Sequence, residues 1–323
     1  MNDKYFMANE IIEERDMVNK LPDVYSEDIK NISALLQSYE AVYITGSGTS
    51  YHASLLMNML LMKSGINSTL IPSSEFNYWL PENINKKTIT VVFSQSGESS
   101  DALSAVNRSL TSGIDVLGIT NEVNSTLYNK STYHFCTEAG HEKAITATKS
   151  HLSQVIFVLM LYFNLNKMEN NFVNISQEIA EIINNSEKIE KIVNKFRKNI
   201  IILGSEYLYP VAMEGALKLK EASNTVAEGY AMREFLHGPK QILNDDFTII
   251  IIGNGKSTID DLKNYSSSII NISNSEKADF RIHEKGIVNI AIYIIIVQIM
   301  AYYNAIRLNL NPDKPDKLSK VVK

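Results

Sequence analysis

With a single cysteine in 323 residues, Cys136, the chain cannot close an internal disulfide and has to hold its fold by packing. That residue lies in Tyr133-His-Phe-Cys136, an apolar run with strand character, where it reads as core filler rather than as a nucleophile. Concentrated charge is missing as well. Net charge is −5 and no basic run accumulates, so neither nucleic acid nor an anionic membrane is an expected partner. The opening Met1-Asn-Asp-Lys-Tyr-Phe-Met-Ala-Asn-Glu10 is acidic and lacks the apolar core of a signal peptide, which makes the cytoplasm the expected compartment. Long apolar runs are scarce too. The most apolar segment, Ile287 to Met300, is punctuated by Asn289 and Gln298 and falls short of about 18 uninterrupted apolar residues, so a buried core helix is predicted there.

What is present is a globular composition, 45% apolar and 21% charged, in a chain long enough for two domains of about 150 residues. The clearest local signal is Thr88-Ile-Thr-Val-Val-Phe93, a β-branched and aromatic run that reads as a buried strand. Ser94-Gln-Ser-Gly-Glu-Ser-Ser100 follows as its turn, and the residues beyond Asp101 have helical spacing. In an open parallel sheet that junction lies at the carboxyl edge, where a helix start offers unpaired N–H groups. No lysine or arginine lies between Thr88 and Asn107, so the loop reads either as a phosphate-ester site made of dipoles and hydroxyls or as an ordinary helix cap with spare serines.

Around this junction the chain alternates. Residues 8–40 carry helical periodicity; Ala41–Thr45, Ser68–Ile71 and Val116–Thr120 read as further strands, with Tyr51–Lys63 and residues 146–165 as apolar helices. Residues 166–198 read as a helical connector. The pattern then restarts with the strand Asn199–Leu203, the turn Gly204-Ser-Glu-Tyr207, the helix Pro210–Ala222, the strand Asp246–Ile252 and the helix Ile259–Tyr265, which predicts two copies of one α/β unit. Gly255-Lys256-Ser257 is not a phosphate loop, because Ile250 stands where that motif needs glycine; Gly46-Ser-Gly48 lacks the third glycine of a dinucleotide turn.

Ionisable groups cluster in Glu214-Gly-Ala-Leu-Lys-Leu-Lys-Glu221. Glu214, Lys218 and Glu221 recur at i, i+4 and i+7, which places carboxylate, ammonium and carboxylate on one helix face. Alone, that face reads as solvated. Arg233-Glu-Phe-Leu-His237-Gly-Pro239 follows closely, with His237 where a helix must stop, and a histidine, a carboxylate and a lysine are the parts needed for proton transfer beside a carbonyl. In the tail, Asp313 to Lys323, the apolar Leu318, Val321 and Val322 predict docking rather than a solvated end.

Six motifs in order, Gly46-Ser-Gly-Thr-Ser50, Ser94-Gln-Ser-Gly-Glu98, Ala147-Thr-Lys149, Glu214 to Glu221, His237-Gly-Pro239 and Asp313-x-Pro-x-x-Leu-Ser-Lys320, resemble those of the sugar isomerase (SIS) family. The likeness runs over essentially the whole chain and is to the isomerase half of glucosamine-6-phosphate synthase and to stand-alone amino-sugar-phosphate deaminases. It implies tandem flavodoxin-like SIS domains at 41–165 and 199–308, preceded by a helical segment at 1–40, joined by the connector and closed by a tail at 309–323. It also implies that Ser50, Ser94, Gln95, Ser96 and Ser99 hold a sugar phosphate, with Ile145, Ala147 and Ser319 also lining it. Glu221 would shuttle a proton between C1 and C2 with help from Lys218, His237 would serve ring opening from a neighbouring subunit, and Lys320 would form a Schiff base with a ketose. The implied protein is a metal-free, cofactor-free homodimer. Its implied reaction is deamination of glucosamine 6-phosphate to fructose 6-phosphate and ammonia, or the reverse with free ammonia or a separate glutaminase; a non-catalytic sugar-phosphate sensor is the third possibility. The glutaminase half of the synthase has no counterpart in this sequence. Ala147 stands where the synthase has a serine, and His141-Glu-Lys143 resembles the deaminase branch.

Overall fold

The structure, a computed structural model, describes residues 1–323 except 2–3, 85, 170–171, 267, 284–285 and 322–323; Val322 of the tail therefore lies outside the described residues. The chain folds into two compact units whose segments interleave in sequence. The first comprises Met17–Glu142, Lys149–Asn170 and Ser319–Lys323; the second comprises Met1–Asp16, Lys143–Thr148 and Asn171–Leu318.

In the first unit five strands, β1 (Ala41–Thr45), β2 (Ser68–Leu70), β3 (Thr88–Phe93), β4 (Asp115–Thr120) and β5 (Tyr133–Cys136), form a wholly parallel sheet in the order β2-β1-β3-β4-β5. All six residues of β3 are buried, as a central strand covered on both faces requires. The helix Lys149–Leu165 is buried from Lys149 to Phe163 and packs against the helix Thr49–Lys63. Its Phe157 ring lies 4.5 Å from Phe135 and 6.2 Å, edge to face, from Phe93, tying the helix to two strands of the sheet. Cys136 is half-buried at the end of β5, and burial pushes its thiol pKa up, which suits a packing role.

The second unit repeats the plan. Its strands, β6 (Asn199–Gly204), β7 (Val226–Ala231), β8 (Phe247–Ile252), β9 (Ile269–Ser273) and β10 (Phe280–Arg281), run parallel in the order β7-β6-β8-β9-β10, the first sheet's order over again. Isoleucine fills both central strands, and the helices Tyr209–Ser223 and Ile290–Arg307 pack against each other over them. Gly215 permits that approach: a Cβ there would stand 2.9 Å from both Ile202 Cδ1 and Val297 Cβ. The segment Ile287–Arg307 is long and apolar enough to cross a membrane by length and composition, yet 94% of its most apolar stretch is buried inside the fold, which makes it the core helix predicted. Helices Phe172–Asn184 and Glu187–Val193, in the stretch read as a connector, bury Ile175, Ile179, Ile182, Ile189 and Val193 and pack on this same core helix.

Candidate functional site

Within the first unit, β1 and β3 are neighbours whose onward connections leave in opposite directions along the sheet, and such a switch point opens a crevice at the carboxyl edge. The register pairs Thr45 with Val92, so the turns after the two strands stand side by side. One carries Ser50, buried and accepting a hydrogen bond of 3.1 Å from Gln154 Nε2. The other carries Ser94, buried, with Gln95, Ser96 and Ser99 half-buried. The loop is fixed from behind by its own backbone: Gln95 O accepts from Asn121 N at 3.0 Å and from Thr120 Oγ1 at 3.1 Å. Glu98 turns away to accept from Thr126 N at 2.7 Å and Thr126 Oγ1 at 3.0 Å. Ser99 is the N-cap of the helix Ser100–Thr111, but its hydroxyl makes no capping bond, which leaves it available to a ligand at that helix start.

Gly97 sets the loop's path. It sits at φ +64°, and a Cβ there would fall 2.2 Å from Ser125 Oγ. Gly97→Ala is therefore expected to cost about 1–3 kcal/mol of stability in urea titrations, because the loop must move to admit the methyl group.

The end of the chain supplies Lys320 to the same unit. Its Nζ lies 2.8 Å from Glu142 Oε2, and that carboxylate, whose side chain is wholly buried, is itself held by Ser150 N at 3.1 Å and Ser150 Oγ at 2.7 Å. Nothing in the sequence marks Glu142 as a site residue beyond the His-Glu-Lys run before Thr148-Lys149. Leu318 corrects one expectation: it is 44% exposed, so polar contacts at Lys320, rather than Leu318, hold the tail. Ser319 is exposed, and its hydroxyl donates to Val321 O at 3.0 Å.

In the second unit the helix Tyr209–Ser223 presents Glu214, Lys218 and Glu221 as a cluster. Lys218 Nζ stands 3.3 Å from Glu214 Oε1 and 2.5 Å from Glu221 Oε2. This face is not the solvated one that spacing alone suggests: the side chains of Glu214 and Lys218 are wholly buried and Glu221's is 21% exposed. Burial alone would lower the lysine's pKa, but the carboxylates of Glu214 and Glu221 outweigh it and hold Lys218 above its ordinary range. A fixed ammonium beside Glu221 orients that carboxylate. Glu221 in turn lines a cavity of about 290 Å³ together with Lys220, Asn224, Lys314 and Lys317. His237 stands exposed at the end of the short 3₁₀ turn Glu234–His237, just before Gly238, and makes no hydrogen bond or ion pair among the described residues. Ile145 donates its N–H to Asp313 O at 2.9 Å, and it and Ala147 are half-buried.

The structure thus gathers Ser50 with the serine loop, Lys320 with Glu142, and Lys218 with Glu214 and Glu221. No group of three or more histidine, cysteine, aspartate or glutamate side chains suited to a metal occurs among the described residues.

A sequence model of the SIS domain matches residues 35–163 and 195–268. The isomerizing glutamine–fructose-6-phosphate aminotransferase of Sulfolobus acidocaldarius is 32% identical over 336 residues, an alignment that takes in 98% of this chain and 56% of the relative. The chain spans about half the length of the curated relatives it matches. Among solved structures, the glucosamine-6-phosphate deaminase of Thermotoga maritima superposes with a TM-score of 0.79 at 22% identity over 97% of this chain and 99% of that one. The tagatose-6-phosphate ketose/aldose isomerase of Escherichia coli does so with a TM-score of 0.83 at 19% identity over 98% and 96%. The repeated strand order, the hydroxyl-lined switch point and the matched segments together identify the chain as a member of the SIS domain family.

Proposed function

We propose that this protein is an amino-sugar-phosphate isomerase and deaminase that converts glucosamine 6-phosphate and water to fructose 6-phosphate and ammonia. The observation that carries the reading is Glu221: a carboxylate on the wall of a cavity, largely withdrawn from water and oriented by a buried lysine. In this reading the hydroxyls of Ser50, Ser94, Ser96 and Ser99 and the amide of Gln95 take the phosphate, and remote binding energy there positions the sugar. His237 opens the ring, contributed by the second subunit of a cytoplasmic homodimer with shared active sites. Glu221 removes the proton from C2 and returns it to C1, which turns the amine at C2 into an imine. Water, or Lys320 through a transient Schiff base, then displaces ammonia. Ile145, Ala147 and Ser319 contact the sugar in the same reading.

The same groups run in reverse would aminate fructose 6-phosphate, with free ammonia or a separate glutaminase as the nitrogen source, a second reading that the likeness to isomerizing aminotransferases supports. A coupled assay separates the readings. Release of ammonia and fructose 6-phosphate from glucosamine 6-phosphate, run beside galactosamine 6-phosphate, is expected from the wild-type protein. Binding of sugar phosphate without turnover in either direction would replace the enzyme with a sensor.

A further inference from the structure

We propose that the second unit holds a ligand site of its own, at the carboxyl edge of its sheet, suited to an unphosphorylated monosaccharide. This inference does not depend on the reaction proposed above. Because β6 and β8 stand in the second sheet where β1 and β3 stand in the first, the second sheet has an equivalent switch point, and that is where a parallel sheet opens toward ligands. A cavity of about 250 Å³ lies there. Its wall is drawn from the turn after β6 (Ser205 and Glu206), the turn after β8 (Asn254), the residue after β9 (Asn274) and the start of the core helix (Asn289 and Tyr293).

A second observation points to an occupant. Asn289 is only 7% exposed, and its Oδ1 has no hydrogen-bond partner among the described residues, although it lines the cavity. A buried acceptor left unpaired costs about 1–3 kcal/mol, a penalty removed when the amide turns its oxygen toward the cavity and a ligand's hydroxyl donor there. The backbone at Glu206 adds to this picture: a non-glycine residue at φ +53° sits in a sparsely populated region, and such strain concentrates where a loop is shaped for binding.

The chemistry of the wall selects the ligand class. No lysine or arginine is among the described residues lining it, and the Glu206 carboxylate would repel an anion. The turn after β8 leads only to the seven-residue helix Lys256–Leu262, whereas the turn after β3 is serine-rich and opens a twelve-residue helix. Amides that both donate and accept, a hydroxyl, a carboxylate acceptor and a tyrosine match neighbouring hydroxyl groups on a compact neutral ring. The volume falls below the range of about 300–1,000 Å³ typical of drug-sized ligands, which fits one sugar ring.

The test is calorimetric titration of the 323-residue chain with D-glucose and with D-fructose, with and without saturating fructose 6-phosphate, whose own binding is read separately. The variant is Asn254→Trp, at an exposed rim position where an indole covers the mouth of the cavity without disturbing the core. Expected is binding of at least one hexose in the millimolar range that persists in fructose 6-phosphate. Asn254→Trp is expected to weaken it at least about tenfold, with fructose 6-phosphate binding and melting temperature unchanged. Three results would overturn the proposal: no hexose binding up to about 10 mM, complete competition by fructose 6-phosphate, or hexose binding indifferent to Asn254→Trp. Tight binding of inorganic phosphate that Asn254→Trp abolishes would also overturn it, by showing an anion site instead.

Discussion

Glu221→Gln is expected to lower turnover of glucosamine 6-phosphate by about 10²–10⁴-fold, the span of a lost general base, and to leave binding of the sugar phosphate nearly as it was. Glutamine keeps the shape of the side chain and one oxygen that can accept from Lys218 Nζ, now 2.5 Å from Glu221 Oε2, so the helix and the cavity wall have no reason to rearrange. What it loses is the basic oxygen that, in the proposed reaction, takes a proton from carbon. The hydroxyls proposed to take the phosphate belong to the other unit and are untouched. The signature is therefore a fall in kcat with KM little changed, the pattern of an interaction made in the transition state alone. Full activity in the glutamine variant would remove Glu221 from the proton path.

Lys218→Met is expected to destabilise the protein by about 3–5 kcal/mol, the usual effect of stripping one partner from a buried ion pair. Methionine fills a similar volume, so the loss comes from Glu214, whose wholly buried carboxylate is left with a hydrophobic neighbour in place of an ammonium. Changing Glu214 to leucine in the same chain is expected to restore part of that stability, because an apolar pair tolerates burial better than a carboxylate that has lost its ammonium; urea midpoints of the wild-type, single and double variants measure the coupling. The pH dependence has a definite sign. The folded state holds Lys218 above 10.5 by virtue of both carboxylates, so its contribution is fully present below about pH 10 and drains away as pH rises through the folded value. The gap between wild type and Lys218→Met should accordingly be level through neutral pH and narrow in strong alkali.

The residues that speak most plainly in the sequence are those whose local pattern and final environment agree. Thr88–Phe93 is a run of β-branched and aromatic side chains, and it became a strand buried along its whole length. The restart at Asn199 made the duplication legible, and both sheets have the same strand order. Agreement fails at β7, where Glu228 and Gly229 are poor strand formers and the strand lies at the edge of its sheet, so no hydrophobic alternation marks it. Short β9 and β10 escape notice for related reasons, as Asn271 interrupts the first and the second is two residues long. The helix carrying Glu221 is a subtler case. Spacing correctly places three charges on one face, yet cannot say that the face turns inward, because Ala216, Leu217 and Leu219 make the rest of the helix apolar as well. Only packing against the Ile290–Arg307 helix reveals that Lys218 has no water around it. Glu142 is hidden for the opposite reason: its partner Lys320 lies 178 residues away, beyond any local pattern.

The opening turn of the helix Phe6–Gln37 is held by the far end of the chain, since the Asp313 carboxylate accepts from Phe6 N at 2.9 Å and Met7 N at 2.8 Å. Those first-turn amides have to wait for a partner made 306 residues later. On the ribosome, the sheet β1 to β5 and its apolar Lys149–Leu165 helix can close once residue 170 has emerged. The other unit, which needs both residues 1–16 and Asp313, completes itself only once Asp313 has been made, and until then the opening turn of that long helix lacks the carboxylate that holds it.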